Sequence, residues 1–440
     1  MKKWRKALKI STIFVVILLA IAAVCYRIFG ISDAAATYSK NLDAAKRAGF
    51  WFDNAAVMQR MNIPESDNGL LLLRPLMRTM EEKEKQANTK TADELFELRW
   101  SIVEPSLPLV EQAVDKPHLG PKFDLKEPYE GYKEFGPLRT IFSTLVKGID
   151  VFIKKGQTKN AQKLLMTASV FAAHLRQDLM RPIPAINAAD DVEGKIRKLI
   201  PRFGHDPAWL AVMTRALAIL DLPWDLHDHL KFSHWESLWG AERLLGRTGS
   251  LEDLGLKRED SRPTEYTLGK LMPGFAAANL SRIHEYYVDI LNRLPKDPND
   301  FVGIAKVLQT SPSHDYKDLS YKTLNQIGDS EYQFGGLYET ERAQRNVLRQ
   351  AITVLQSRLD LSQGLPLKGF SMLDRNGKPL GLEHLKGGWI IYSVGPNGKD
   401  DHSVPPPAYV DDFIVHLSTA TLDPKDTTRQ AKWSLGAGGV

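Results

Sequence analysis

The sequence predicts a mainly α protein with an N-terminal single transmembrane helix, a large all-α extracytoplasmic body and a small C-terminal α+β module with a β-hairpin or sheet. Three observations predict this class. Residues 10–26 carry no charge, residues 157–180 repeat apolar side chains at steps of three and four, and residues 389–394 are rich in β-branched and aromatic side chains. With 440 residues, 43% hydrophobic and 25% charged, the composition excludes collagen-like and wholly disordered proteins.

The first predicted element is a membrane signal anchor. Five Lys or Arg residues lie within residues 1–9, and this basic start favours a cytoplasmic N-terminus. We therefore expect a single-pass protein of the bacterial cytoplasmic membrane whose body is periplasmic or otherwise extracytoplasmic. The alternatives are a cleaved signal peptide, with Ala34 and Ala36 at the cleavage site, and a lipoprotein signal that ends at Cys25. The predicted anchor residues are Ile10, Phe14, Ile17, Leu18, Leu19 and Ile21.

The charges and the cysteine count exclude several kinds of partner and site. Six cations and no acid precede residue 32, so subtracting them from the net charge of +5 leaves the rest of the chain at −1. Nucleic acid is therefore not an expected partner, because its phosphates need a clear excess of cations. Cys25 is the only cysteine, which excludes disulfides, thiolate zinc sites and a cysteine nucleophile from the body.

Proline, glycine and changes of periodicity divide the chain into six predicted regions. Asp206 before Pro207 predicts a helix N-cap with proline at the first helical position, and residues 311–336 are polar and predict a loop. The regions are a basic stub and anchor (1–31), an N-terminal helical region (32–115), a surface loop (116–137), an all-α body (138–337), a helix plus β module (338–420) and a flexible tail (421–440).

The C-terminal region contains a tight turn followed by acidic residues. Residues 388–401 read Gly-Trp-Ile-Ile-Tyr-Ser-Val-Gly-Pro-Asn-Gly-Lys-Asp-Asp, and a second acidic pair precedes the apolar run 413–415. This pattern resembles the C-terminus of type II secretion major pseudopilins, which have a Tyr-Ser-x-Gly-x-Asp/Asn-Gly turn and an acidic calcium-binding loop. The alternative is a solvated acidic loop beside a turn. The resemblance implies a calcium ion held by Asn397, Asp400, Asp401, Asp411 and Asp412.

The chain is also similar to large membrane-anchored envelope proteins of planctomycete-type bacteria, in which the same module closes the chain. It shares with them three short strings, at residues 222–225 (Leu-Pro-Trp-Asp), 364–366 (Gly-Leu-Pro) and 376–380 (Asn-Gly-Lys-Pro-Leu). No activity is implied by this similarity.

Candidate catalytic residues are few. The sequence has no phosphate-binding loop, dinucleotide fingerprint, zincin motif or serine-hydrolase elbow. Its densest group of metal-ligand types is His227, His229 and His234 beside two aspartates, which gives the alternative of a metal-dependent envelope hydrolase. On a helix, however, His229 points away from His227 and His234. We expect a non-enzymatic interaction or scaffold protein that binds other envelope proteins, and a secretion or pilus-type accessory component is a further alternative.

Overall fold

A computed structural model describes residues 15, 17, 18, 20, 21, 31–52, 54–61, 63–87, 91–120, 131–178, 182–221, 226–244, 273–310, 322–356, 378, 380–385, 388–393 and 413–418. The prediction of a mainly α protein is confirmed, since helices account for most of these residues. The helices are α1 (Ile31–Arg47), α2 (Asn54–Met61), α3 (Leu70–Gln86), α4 (Ala92–Val103), α5 (Leu107–Val114), α6 (Gly131–Lys154), α7 (Thr158–Asp178), α8 (Pro182–Phe203), α9 (Pro207–Leu220), α10 (Leu226–Leu244), α11 (Pro273–Arg293), α12 (Phe301–Gln309) and α13 (Lys322–Gln356). Two short 3-10 helices are Glu65–Asp67 and Glu104–Ser106.

Three strands follow the last helix: β1 (Gly381–Leu385), β2 (Gly388–Ser393) and β3 (Phe413–Ser418). They pair in the order β1-β2-β3, and both pairings are antiparallel. Gly381 faces Tyr392 in the first pairing, and Ile391 faces Val415 in the second. At Gly381 a Cβ would come within 2.2 Å of the Tyr392 ring, so a larger residue at this cross-strand position requires the ring to move.

The chain divides into two compact units, each assembled from segments that are distant in sequence. Unit 1 comprises Met1–Val57, Leu226–Leu294 and Val307–Gln333, and unit 2 comprises Met58–Asp225, Pro295–Lys306 and Phe334–Val440.

In unit 1, α11 packs against both α1 and α10. Apolar residues recur along α11 at steps of three and four, which places them on one face. The Asn41 amide of α1 donates to the Ser281 hydroxyl of α11 at 3.0 Å, so the two helices are also joined by a polar contact. The buried residues of that face are Leu280, Ile283, Tyr287 and Ile290.

In unit 2, α7 is the central helix, because it packs against α6, α8 and α9. The apolar steps in residues 157–180 predict this helix, and it forms at Thr158–Asp178. Phe142, Phe171 and Trp209 are fully buried in the core around it. The C-terminal sheet contributes Ile391, Val415 and Leu417 to the same core, and β3 contacts α8.

Local capping fixes several helix ends. The Asp206 side chain accepts a hydrogen bond from the Ala208 amide at 2.8 Å, and Pro207 begins α9, as predicted. At α4, the Thr91 hydroxyl accepts from the Glu94 amide while the Glu94 carboxylate accepts from the Thr91 amide, which is a complete capping box.

Two predicted loops are shorter than expected. Helix α6 begins at Gly131, inside the predicted loop 116–137, and contains Pro137 in its second turn. Helix α13 begins at Lys322, inside the stretch 311–336. The start of α13 is too polar to show an apolar periodicity, so the sequence pattern did not reveal it.

The prediction of a transmembrane helix is wrong, and with it the single-pass location in the bacterial cytoplasmic membrane and the extracytoplasmic placement of the body. In the part of the chain that the structure describes, no helix has both the length and the apolar composition needed to cross a bilayer. Helix α1 is 17 residues long and contains five charged residues, so it is both short and polar for a membrane span.

The predicted anchor residues fall partly within the described chain. Ile17, Leu18 and Ile21 are helical, and between 50% and 54% of each side chain is exposed. Ile10, Phe14 and Leu19 lie outside the described residues.

Candidate functional site

The structure does not bring the three predicted histidines together. All three lie on α10, where His227 is exposed while His229 and His234 are buried. The His229 ring lies 3.4 Å from the hydroxyl of Ser233, one turn further along the same helix. Across the described residues, no group of three or more His, Cys, Asp or Glu side chains is placed to hold a metal ion. The His227, His229, His234 arrangement predicted from sequence is therefore absent.

His234 instead pairs with His284, a residue of α11 that the sequence analysis did not single out. His234 Nε2 and His284 Nδ1 are 2.9 Å apart, within hydrogen-bonding distance, and the ring centroids are 5.1 Å apart. Both side chains are almost completely buried in unit 1. The packing of α10 against α11 produces this pair, since the two residues are 50 positions apart in sequence.

Aromatic rings surround the histidine pair. The Phe50 ring is centred 4.5 Å from that of His234, and the Phe52 ring lies 5.4 Å from His234 and 5.5 Å from His284. Tyr38 is 5.6 Å from His284, and Tyr287 is 5.5 Å from His234. The Tyr287 hydroxyl is hydrogen-bonded to Ser237 at 3.0 Å, so its polar end is satisfied away from the imidazoles.

These surroundings keep the histidine pair neutral. Burial lowers the pKa of His234 well below its ordinary value, and the neighbouring His284 lowers it further. Burial and the nearby Lys46 ammonium lower the pKa of His284 to about 4. The outward nitrogens, Nδ1 of His234 and Nε2 of His284, are buried and form no hydrogen bond. In the neutral pair one of these outward nitrogens carries a proton and the other a lone pair, and both lie among aromatic rings without a hydrogen-bond partner.

Unit 2 contains a second polar cluster, in which α13 is joined to three other elements. Arg345 is fully buried and donates from Nε to Glu193 of α8 at 2.7 Å and from Nη1 to Asp221, the residue that caps α9, at 3.1 Å. It also pairs with Glu341, one turn earlier on α13. Arg176 of α7 donates to that same Glu341 carboxylate at 3.1 Å. We call these residues, with Asp190, Arg342 and Arg349, the unit 2 ion cluster.

Asp221 lies at a partly exposed edge of the ion cluster. Arg342 donates to its carboxylate at 2.8 Å, and Arg349 also pairs with it. The Arg176 guanidinium in addition donates to the Leu220 carbonyl at 2.8 Å, which satisfies an end carbonyl of α9. The C-terminus of α9 is therefore bound by arginines from two helices.

The carboxyl groups of the ion cluster differ in their affinity for protons. Burial raises the pKa of Asp190 to about 7, and the Glu341 charge adds to this effect. Burial also raises the pKa of Glu193 to about 8, although Arg345 opposes the shift. Burial acts in the same direction on Glu341, but the charges of Arg176 and Arg345 outweigh it and lower its pKa. Oδ1 of Asp190, Oε2 of Glu193 and Oε2 of Glu341 are buried without a hydrogen-bond partner.

The sequence carried a partial signal for this cluster. Glu341, Arg342, Arg345 and Arg349 recur at helical steps on α13, which predicts that their side chains lie close together. Nothing in the sequence indicates that this charged face is buried, or that its partners are 152 and 165 residues away.

The predicted calcium ligands, Asn397, Asp400, Asp401, Asp411 and Asp412, all lie outside the described residues. The strands that flank them are described, and β2 pairs with β3. The calcium site stays a prediction.

Comparisons of the chain with known protein families, with curated proteins and with solved structures found no match. The resemblances to pseudopilins and to planctomycete-type envelope proteins therefore stay predictions.

Proposed function

We propose that this chain is a non-enzymatic scaffold protein, in which unit 2 offers a rigid helical surface to other macromolecules. The observation that carries the proposal is Arg345, a fully buried arginine bound to carboxylates from α8, α13 and the end of α9. An arginine held in this way selects one arrangement of the helices, because any slip of α13 leaves buried charges unpaired.

The surface around the ion cluster supports the same function. The exposed residues of α6 and α7 include Lys147, Lys154, Lys159 and Lys163, of which Lys163 pairs with Glu111 at 2.6 Å. Exposed lysines on a fixed helical frame favour a partner that presents acidic groups.

The C-terminal α+β module belongs to the same proposal. Helix α13 precedes the three strands in the chain, and strands β2 and β3, which flank the acidic segment 397–412 in sequence, bury residues in the core of unit 2. We propose that calcium bound by this segment stabilises the module. In a thermal-unfolding assay of the full chain, millimolar calcium should raise the transition temperature, and Asp400→Ala with Asp412→Ala should remove the shift. An equal shift in this variant would contradict the calcium site.

The scaffold function is tested by photo-crosslinking in cells of the native host. A photoreactive residue replaces Lys159 on the exposed face of unit 2, and the matched control replaces buried Leu165 of the same helix. We expect one reproducible crosslinked species for the Lys159 position and none for the control. The proposal fails if no species forms at Lys159, Lys147 or Lys163. It also fails if the purified full chain with added zinc or manganese hydrolyses ester, phosphoester or peptide substrates in a manner lost in His229→Ala.

A further inference from the structure

Unit 2 carries an uneven distribution of charge on α6 and α8, two helices that pack against each other. Arg139, Lys147 and Asp150 lie on the exposed side of α6. Asp191 and Lys198 lie on the exposed side of α8, about two turns apart. Because each set recurs at helical spacing, each forms one ridge along its helix.

The buried Lys195 links the two ridges. Its side chain is only 7% exposed, and its ammonium group donates from α8 to the Asp150 carboxylate of α6 at 2.6 Å. This contact brings the two ridges side by side. We call the following six residues the α6–α8 strip: Arg139, Lys147, Asp150, Asp191, Lys195 and Lys198.

The charges of the α6–α8 strip do not cancel. Its four cations and two carboxylates give it a net charge of +2, whereas the chain after residue 31 has a net charge of −1. All four cations act on the charge of Asp191, so they lie around this carboxylate. Within the described parts of the chain, Asp191 nevertheless forms no ion pair, and Lys195 is the only one of the four cations that pairs with a carboxylate. Three cations are therefore available to a partner.

The strip lies on a fixed frame. The Lys147 ammonium is 5.9 Å from the centre of the Phe96 ring of α4, which is a cation–π distance. On α8, Glu193 is two positions from Asp191, and it accepts a hydrogen bond from the buried Arg345 at 2.7 Å. A charged surface on a fixed helix loses less conformational entropy on binding than one on a mobile segment.

We propose that the α6–α8 strip is a docking surface for an acidic segment of a partner protein, an inference that rests on the proposed scaffold function. The charges are complementary, because carboxylates of such a segment can pair with Arg139, Lys147 and Lys198. Arg139 and Lys147 are eight residues apart, which is about 12 Å along α6. This distance is about two turns of a partner helix, so two glutamates at that spacing reach both cations.

The two carboxylates of the strip favour a protein partner over a nucleic acid. Duplex DNA carries one negative charge about every 1.7 Å along its axis, so a duplex on the strip brings phosphates against Asp150 and Asp191. A protein segment can instead place a cation or a hydrogen-bond donor opposite each carboxylate. The mixed charge of the strip therefore fits a segment that is acidic but not uniformly charged.

The test is a fluorescence-anisotropy titration of a labelled peptide with the full chain. The probe is a helical peptide of about 16 residues with glutamate at steps of three and four, and its control has glutamine at the same positions. We expect the glutamate peptide to bind with a Kd below about 100 μM and the glutamine peptide not to bind. Arg139→Glu with Lys198→Glu should weaken binding roughly 10-fold to 100-fold, because each change turns an attraction into a repulsion.

Two further variants locate the binding on the strip. The matched control is Lys83→Glu with Lys85→Glu, which makes the same change of charge on the exposed side of α3 and should leave the Kd unchanged. Asp191→Asn should act in the opposite direction and strengthen binding roughly 2-fold to 5-fold, since it removes a carboxylate from the strip. The basic residues 1–9 also attract an acidic peptide, but this contribution is the same in every variant. Circular dichroism establishes that each variant is folded.

The proposal is overturned if the glutamate peptide does not bind, if folded Arg139→Glu with Lys198→Glu binds as the parent does, or if the α3 control weakens binding equally. Weaker binding by Asp191→Asn also overturns it. Tighter binding of a single-stranded oligouridylate that displaces the peptide does so as well, because the strip then recognises phosphates. A crosslinked species at Lys159 without peptide binding keeps the scaffold function and removes the strip. Peptide binding without any crosslinked species does the reverse.

Discussion

At the scale of single residues, three ion pairs of unit 2 converge on Arg345. Burial disfavours its charge, but Glu193 and Glu341 more than offset that cost, and the pKa of Arg345 is raised. The arginine therefore stays charged throughout the physiological range. Glu193 is fully buried and accepts from Arg345, so removing the arginine leaves this carboxyl group buried without that partner, whereas Glu341 keeps Arg176.

The first prediction concerns this loss. Arg345→Met should lower the free energy of unfolding by about 3 to 5 kcal/mol at pH 7, because it removes one member of a buried ion pair and leaves the other member buried without its partner. Urea unfolding followed by circular dichroism measures the change. The control is Lys155→Met, which breaks an exposed pair with Glu104 and should cost less than about 1 kcal/mol. Equal effects of the two variants would contradict the assigned role of Arg345.

The second prediction concerns His284, whose pKa falls from 6.5 to about 4 on burial. Between these values the unfolded chain binds a proton that the native protein does not, so stability is lost as the pH falls from 6.5 to 4. The shift corresponds to about 3 kcal/mol at most. His284→Phe should remove this share of the acid sensitivity when urea unfolding is measured at pH 7 and pH 5. An unchanged pH dependence would show that His284 is not the responsible group.

At the scale of elements, the start of α3 depends on a close backbone approach. A Cβ on Gly69, the residue before α3, would lie 1.9 Å from the Ala113 carbonyl oxygen of α5. The Asn68 side chain supports the same corner, since its carbonyl accepts from the Leu70 amide at 3.0 Å and its amide donates to the Gly120 carbonyl at 2.8 Å. The contact between α3 and α5 therefore requires glycine at this position. The backbone torsion angles are those of an ordinary helix, so the requirement comes from the close approach and not from an unusual backbone conformation.

The third prediction compares two glycines of unit 2. Gly69→Ala should destabilise the protein by about 1 to 3 kcal/mol, because the added methyl group collides with backbone that has little freedom to move. Gly194→Ala in α8 should instead stabilise it by about 0.5 to 1 kcal/mol, since no atom lies within 4 Å of the new Cβ and alanine favours a helix. Thermal unfolding ranks the two variants against the parent. The reverse order would disprove the close approach at Gly69.

At the scale of the whole molecule, we expect the two units to respond to pH in opposite directions. The histidine pair of unit 1 resists protonation, so unit 1 loses stability as the pH falls below 6.5. In unit 2, the pKa of Asp190 rises from 3.8 to about 7 and that of Glu193 from 4.5 to about 8. Native unit 2 then binds more protons than the unfolded chain, and its stability falls as the pH rises from about 4 through about 8.

The fourth prediction is a crossover in amide hydrogen exchange of the full chain. After correction for the intrinsic exchange rate, the amides of α10 and α11 should be less protected at pH 5 than at pH 8. The amides of α8 should show the opposite difference and be less protected at pH 8 than at pH 5. Asp190→Asn, which cannot ionise, should restore the protection of α8 at pH 8 by up to about 3 kcal/mol. The prediction is contradicted if amide protection changes in the same direction with pH in both units.

Local patterns in the sequence determined much of the secondary structure. The apolar steps in residues 157–180, the Asp206-Pro207 start and the β-branched runs near residues 390 and 415 match α7, α9, β2 and β3 closely. These features depend on neighbours within a few residues, which is the range over which capping and periodicity act. The charged start of α13 has no such periodicity, and that part of the helix was missed.

Only the tertiary structure decided which side chains meet. His234 reaches His284 across 50 residues and Arg345 reaches Glu193 across 152, and no local pattern encodes either distance. The sequence grouped His234 with His227 because they are close along the chain, but the helix exposes one and buries the other. Sequence composition and periodicity therefore determined the α class and many element boundaries. The sites depend on long-range packing, since burial and partner choice are properties of the assembled helices rather than of any one segment.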